Sequence, residues 1–268
     1  MDNLVPLRDT HGDPVSGGTT TADRVADVLL LLASSTDSVG VSAISRRLEL
    51  PKAVVYRILQ SLSSRQLVRR ADEGSGYRLG PAAVTLGVKA LGELDVRGVA
   101  QGVLRKLRDE TGETTTLSQR VGAERVYLDQ FVSRREIKMS VDLGHRNPLH
   151  AGASGKVILA FLDRDTRERL LSRHLERLTP ATITSVARLR EELREIAERG
   201  TAASIGERLP DAGSVAAPVI VTGEVYGAIS VCGPVSRFDR ATVDRYRALV
   251  REAAARLRLA TEQNEPAV

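Results

Sequence analysis

The residues able to do chemistry in this chain are mostly cations, and they cluster. Residues 41–70, VSAISRRLELPKAVVYRILQSLSSRQLVRR, hold seven Lys or Arg against the single acid Glu49, a local charge of about +6. Guanidinium and ammonium groups at this density suit a phosphate polyanion, whose condensed counterions they displace. The other reactive-looking motifs fail on spacing. Gly155-Lys156 suggests a phosphate loop, but His150 stands where its first glycine belongs and Val157 where Ser or Thr would hold magnesium. Gly152-Ala153-Ser154-Gly155 is not a nucleophile elbow, because its second glycine comes one residue early. His145 and His150 lie five apart without a third metal ligand. Cys232 could pair with either histidine as a thiol nucleophile, yet nothing orients the ring or lowers the thiol pKa. Lys156 therefore reads as structural, and no catalytic residue, metal or cofactor is expected.

The elements that must position the cations are set by hydrophobic period. Val41, Ile44 and Leu48 make one apolar stripe, and Val55, Ile58, Leu59 and Leu62 another, so the stretch reads as two short helices. Glu49-Leu50-Pro51 separates them, with Pro51 suited to the first position of the second helix. With Val55 and Leu59 inward, 100° per residue turns Ala53, Arg57, Gln60 and Ser64 outward and puts Tyr56 on their flank. Small, amide and guanidinium side chains on a second helix fit the major groove of duplex DNA. A helical hairpin with a merely solvated basic face would look the same. The segment after the second helix favours DNA: Leu67–Arg70, a glycine-bearing turn over Asp72–Gly76, and Tyr77–Gly80 read as a hairpin, the wing of a winged helix. The DNA-facing set expected is Ser42, Lys52, Ala53, Tyr56, Arg57 and Gln60, with Arg69, Arg70 and Arg78 along the wing.

Composition bounds the rest. At 268 residues two domains are the natural expectation. The formal net charge is only +5, so the local positive excess is a concentration rather than a general basicity. Cys232 is the one cysteine, which excludes an internal disulfide and points to a reducing cytoplasm. No apolar run approaches the ~20 residues that span a bilayer, so no membrane partner is expected. With 3% aromatic residues and no Trp, an RNA base-stacking platform is disfavoured.

In chain order, residues 1–19 read as a disordered leader and 20–34 as a helix burying Val25, Val28, Leu29 and Leu32. Ser35–Gly40 reads as a polar connector, and the winged helix extends over 20–81. Pro81–Gly112 is helical with a bend near Asp95–Gly98. Its first half is apolar on more than one face, which asks for a second copy of the chain, and 82–98 reads as a dimerisation linker. Val103, Leu104 and Leu107 look inward to the next domain. From Glu113 the period changes to two. Strands flank Gly122-Ala123, KMSVDLGHRNPLH continues as a strand into a loop, and SVAAPVIV and VYGAISVCG join at Thr222–Glu224. Helices are expected at Gly152–Leu162, Arg164–His174, Val186–Arg199 and 236–262, the last with its arginines on a solvated face. Residues 99–262 thus read as an antiparallel sheet flanked by helices, an α+β domain, with 263–268 a tail.

Three separated segments together resemble the IclR family of bacterial transcription regulators. They are the winged helix over 21–80, Pro148-Leu149-His150-Ala151-Gly152-Ala153-Ser154-Gly155-Lys156, and Val215–Val219 followed by Gly227-Ala228-Ile229-Ser230-Val231-Cys232-Gly233-Pro234. The resemblance implies an α+β protein with an operator-binding winged helix, a dimerising linker helix and a GAF-like effector domain. It implies a homodimer or homotetramer and a small-molecule effector, often a carboxylate. Carried over by position, the effector pocket would be lined by Ala153, Ser154, Ser204, Ser214, Ser230 and Cys232. Ser230 and Cys232 alternate onto one strand face, and Ser154 starts a helix whose N–H groups favour an anion. Two departures stand out. Ser204 replaces a common carboxylate, and Ala53-Val54 replace hydroxyl residues, which shifts phosphate contacts toward Lys52, Tyr56, Arg57 and the wing. The alternative is a small-molecule enzyme or metabolite-binding protein that uses its N-terminal hairpin only to dimerise.

Overall fold

The computed structural model describes residues 20–35, 37–71, 76–92 and 96–263. The expected leader, the tip of the wing turn, the start of the expected bend at 93–95 and the tail from 264 lie outside them. The chain divides into two compact units, Met1–Glu93 and Leu94–Val268. Among the described residues no helix is long and apolar enough to cross a membrane.

The first unit runs α1 (Thr20–Ala33), β1 (Val39–Gly40), α2 (Val41–Arg47), α3 (Lys52–Ser64), β2 (Val68–Arg70), β3 (Gly76–Leu79) and α4 (Pro81–Gly92). Val28, Leu31 and Leu32 of α1 pack with Ile44 of α2 and with Val55, Ile58, Leu59 and Leu62 of α3. Each such side chain contributes about 1.5–3 kcal/mol by leaving water. Between α2 and α3 the chain turns at Glu49, whose φ is +53°, while Ser45 Oγ donates to the Leu50 carbonyl at 2.6 Å. Pro51 sits one place earlier than expected. It caps α3, its carbonyl accepting from the Val54 and Val55 N–H groups, and Lys52 opens the helix. The expected connector before α2 also contains a strand. Val39 pairs with Tyr77 and Gly40 with Gly76, completing a sheet in the order β1-β3-β2.

The second unit opens with α5 (Val96–Thr111), so Arg97 and Gly98 are helical rather than bent. It continues with β4 (Thr114–Val121), β5 (Glu124–Phe131), β6 (Arg146–Pro148), α6 (Ala153–Ala160), α7 (Arg164–Leu171), α8 (Val186–Arg199), β7 (Ala202–Ile205), β8 (Ala212–Val221) and β9 (Glu224–Pro234). A 3-10 turn at Val235–Arg237 leads into α9 (Arg240–Gln263). The six strands form one antiparallel sheet, β6-β5-β4-β9-β8-β7. Strand alternation splits its two faces. Leu117, Val215, Ala217, Val219, Ile229 and Val231 meet Leu104 and Leu107 of α5 and Tyr246, Val250 and Leu257 of α9. Ala202, Ala216 and Ala228 point the other way, against α6 and α8.

Beyond α5, the second unit departs from expectation in three further places. Of the strand read in KMSVDLGHRNPLH, only β6 forms, because Gln130 satisfies the backbone of Val141 in place of a strand ladder. Its amide donates to the Val141 carbonyl at 2.6 Å, and its oxygen accepts from the Val141 N–H at 3.0 Å. The strand β7 has no counterpart in the sequence pattern, being four residues long with three of them small. The arginines of α9 are exposed as expected except Arg247, which is half-buried.

Candidate DNA-binding surface and effector pocket

The rotation of α3 is fixed by the apolar residues it buries, which leaves Lys52, Ala53, Tyr56, Arg57 and Gln60 exposed, as is Ser42 on α2. Arg69 and Arg78 are directly opposite each other across the wing, and both are exposed. Facing each other, the two concentrate positive charge along the wing. Arg70 is held against the tyrosine of the wing. Its Nε donates to Tyr77 Oη at 3.3 Å and its guanidinium lies 5.7 Å from that ring, contacts that raise its pKa further. Tyr56, Gln60, Arg69 and Arg70 thereby surround one groove of about 410 Å³ between α3 and the wing. Ser63 and Gln66 also line it, although the sequence reading does not single them out. Gln66 follows the end of α3 with φ +56°, a turn that no sequence pattern announces.

In the second unit one cavity carries Ala153, Ser154, Ser204, Ser214, Ser230 and Cys232 on its wall. The register explains the convergence: Thr114, Cys232, Ser214 and Ser204 stand opposite one another across β4, β9, β8 and β7. Side chains directly opposite in antiparallel strands share a face. Ser230 exchanges a 2.7 Å hydrogen bond with Thr116 beside them. Water-sized spheres have about 30 Å³ for their centres inside it, and the hollow between its walls, its open mouth included, is about 460 Å³. Gly152 enters α6 at φ +84°, and a Cβ on Gly155 would fall 2.5 Å from the Leu149 carbonyl oxygen. The glycines of this motif thus serve a close approach of helix to loop rather than a phosphate.

Lys156 is fully buried, and its Nζ donates to Glu192 Oε1 and Glu207 Oε1, each at 2.5 Å. Glu207 also accepts from the Gly152 N–H at 3.3 Å. His150 is buried, donates from Nε2 to the Glu176 carbonyl at 2.8 Å, and has its pKa lowered mainly by burial. His145 is only half-buried, and among the described residues no group of three His, Cys, Asp or Glu could hold a metal. Burial pushes the Cys232 thiol up to about 11, the opposite of what a nucleophile needs.

The cavity also holds residues that the sequence does not flag, chiefly Arg125, Tyr127, Ser140 and Arg208. Arg125 is 2% exposed, its Nε and Nη1 lack a hydrogen-bond partner among the described residues, and its guanidinium sits 4.5 Å over the Tyr127 ring. The wall therefore combines two guanidinium groups, several hydroxyls and one thiol, with no carboxylate among the described residues.

Residues 21–72 match the IclR helix-turn-helix domain, and residues 88–258 match the bacterial transcriptional regulator IclR C-terminal domain. The HTH-type transcriptional regulator BhcR of Paracoccus denitrificans is 33% identical over 244 residues, covering 90% of this chain and 87% of its own length. A solved IclR transcriptional regulator from Alicyclobacillus acidocaldarius superposes with a TM-score of 0.80 at 27% identity, over 91% of this chain and 99% of that one. An IclR homolog from Microbacterium hydrocarbonoxydans, solved in complex with 4-hydroxybenzoate, gives a TM-score of 0.76 at 26% identity, over 91% and 100%. These relatives are named as regulators or as an IclR homolog and none as an enzyme, which removes the enzyme alternative. With a basic recognition helix exposed in one unit and matches that take in both, the chain belongs to the IclR family of transcriptional regulators and binds DNA through its helix-turn-helix.

Proposed function

We propose that this regulator binds operator DNA as a homodimer or a dimer of dimers and responds to a small organic acid held by its second unit. In this division 20–81 reads DNA, 82–98 dimerises and 99–262 senses the effector. The exposure of Lys52, Ala53, Tyr56, Arg57 and Gln60 along one side of α3 carries the DNA half of the reading. There α3 enters the major groove, with Arg57 and Gln60 toward base edges and Arg69 and Arg78 toward phosphates. The second copy is supported by α4, where Val84, Leu86 and Val88 are 65%, 62% and 64% exposed. Val84 and Val88, a turn apart, share one side of the helix and Leu86 stands on the other; aliphatic side chains so open to water ask for a partner, and a twofold copy of the same helix supplies one of matching chemistry. The effector half is supported by the hydroxyl-lined cavity beside the N-terminus of α6 and by the relative solved with a carboxylic acid. Occupancy of that cavity alters the spacing of two winged helices and hence their fit to two half-sites.

Fluorescence anisotropy of the full chain on DNA from its own promoter region tests this. Arg57→Ala is expected to weaken binding at least about tenfold, the worth of one good base contact. Raising salt from about 50 to about 200 mM is expected to weaken it by orders of magnitude. Binding indifferent to both changes would remove α3 from the interface.

A further inference from the structure

The most unusual group in the second unit is the guanidinium of Arg125. An arginine cannot relieve burial by losing its proton, so a buried one must find hydrogen-bond acceptors or counter-charge. Among the described residues Arg125 has found neither, since Nε and Nη1 are both buried and unpartnered. The π face of Tyr127 compensates it only partly, a cation–π contact being far weaker than the cost of taking a charge out of water.

The shortage is not one of acids, because the carboxylates around it are engaged elsewhere. Glu124, its chain neighbour, holds Arg146 at 3.1 Å. Asp129, which a bulge in β5 turns to the opposite face beside Leu117 and α5, holds Arg97 at 3.2 Å. Glu207 is taken by Lys156 and the Gly152 N–H, and Glu113 holds Arg135 and Arg237. Arg208, also on the cavity wall, adds a second positive charge rather than a counter-charge.

Arg125 lines the same cavity as Ser154, Ser230 and Cys232. We propose that Arg125 is the specificity-determining residue of the effector site: it supplies the counter-charge for an acid group of the ligand, and its missing partners are the oxygens of that group. This rests on the reading of the second unit as an effector domain and gives that site its charge requirement. Two guanidinium N–H groups on one carboxylate make the planar, paired contact for which arginine is suited and lysine is not. A neutral ligand of the same shape leaves the guanidinium buried and unpaired, so the pocket discriminates acid from amide.

The test is the thermal midpoint of the full chain with acetate, succinate, benzoate or 4-hydroxybenzoate, each against its amide at equal ionic strength and roughly 10 mM. At least one acid is expected to raise the midpoint by about 3 °C or more while its amide does not. Arg125→Met is expected to weaken that acid roughly 100-fold, and Arg125→Lys to weaken it less. Without ligand, Arg125→Met is expected to unfold at the same temperature as the wild type or above it, since the variant removes an unpaired buried charge. A clear fall, or failure to fold, would make Arg125 a structural residue and overturn the proposal. So would an amide as effective as its acid, an acid effect that survives Arg125→Met, or a wild type that no acid stabilises. An equally effective amide leaves a ligand-sensing unit in place and removes only the charge requirement. An acid that stabilises the wild type through Arg125 yet leaves operator affinity unchanged keeps the anion site and removes the regulatory reading.

Discussion

Among the described residues two cations are buried in the second unit, and their surroundings are opposite. Lys156 is 0% exposed and stapled between Glu192 and Glu207. Arg125 is 2% exposed and pairs with no acid among the described residues. Both belong to the neighbourhood of the helix that opens at Gly152: Lys156 is on it, and the Arg125 guanidinium comes within 4.0 Å of a Cβ built on Gly152. Desolvating either charge costs several kcal/mol. For Lys156 the fold returns that cost through two carboxylates, one of which also holds the loop at Gly152. For Arg125 the fold leaves it outstanding. A buried charge that the fold has neutralised holds the structure together, whereas one it has left bare is available to something from outside.

The largest expected effect breaks the stapled side. Lys156→Met strands Glu207, which is 9% exposed at its side chain, and partly strands Glu192, so a loss of about 3–5 kcal/mol is expected in urea denaturation. Adding Glu207→Gln removes the orphaned charge and keeps an acceptor for the Gly152 N–H, and should recover most of the loss. A single variant costing less than about 1 kcal/mol would erase the contrast with Arg125, because both cations would then be dispensable to the fold.

The two sides are unequally legible in the sequence. Lys156 reads as structural because its motif fails every phosphate and nucleophile pattern, although nothing names Glu192 or Glu207 as its partners. Arg125 cannot be read. In ERVYLDQF the apolar Val126 and Leu128 alternate with Arg125, Tyr127 and Asp129, the pattern of a strand with one wet face. In the fold that face is covered: Arg125 and Tyr127 are buried, and Met139, Ser140 and Val141 complete the cavity beside them. That cover comes from the very segment whose pattern imitates a strand, where Met139, Val141 and Leu143 alternate at strand period while Gln130 takes the backbone hydrogen bonds. The recognition helix is legible for the converse reason. Val55, Ile58, Leu59 and Leu62 fix its rotation locally, so its outward residues can be named without any knowledge of the tertiary structure.

A second prediction reads the bare side through Cys232. Burial pushes its thiol to about 11 from an ordinary value of 9.0, so its thiolate fraction near neutral pH is lower by about 100-fold. Alkylation by iodoacetamide at pH 8 is expected to be slower than that of a free thiol by a comparable factor. The positive charges of Arg208 and Arg125 both favour the thiolate, so Arg125→Met should slow the reaction further. Labelling as fast as for a free thiol would mean a wet cavity, in which an unpaired guanidinium carries no penalty.

The smallest effect belongs to His150, on the stapled side. Its Nε2 donates to the Glu176 carbonyl, so the neutral ring carries its proton there and Nδ1 is free of one. Protonation would charge a buried ring. Burial outweighs the Glu176 carbonyl and the Glu207 carboxylate, which pull the other way, and the charge of His174 adds to the lowering. With the folded pKa below the unfolded value of about 6.5, the unfolded chain binds the extra proton first as pH falls. The stability owed to a neutral His150 is therefore complete above about pH 6.5 and declines below it until the lowered folded value is reached. Thermal midpoints of wild type and His150→Gln from pH 8 to 5 should converge as pH drops, since the variant has no proton to gain. A gap that stays constant would mean the ring titrates alike in both states. The contrast sharpens in the Lys156→Met background. Glu207, freed from its lysine, favours a proton at His150 more strongly and lifts the folded pKa back toward the unfolded one, so the convergence should still begin near pH 6.5 but be smaller.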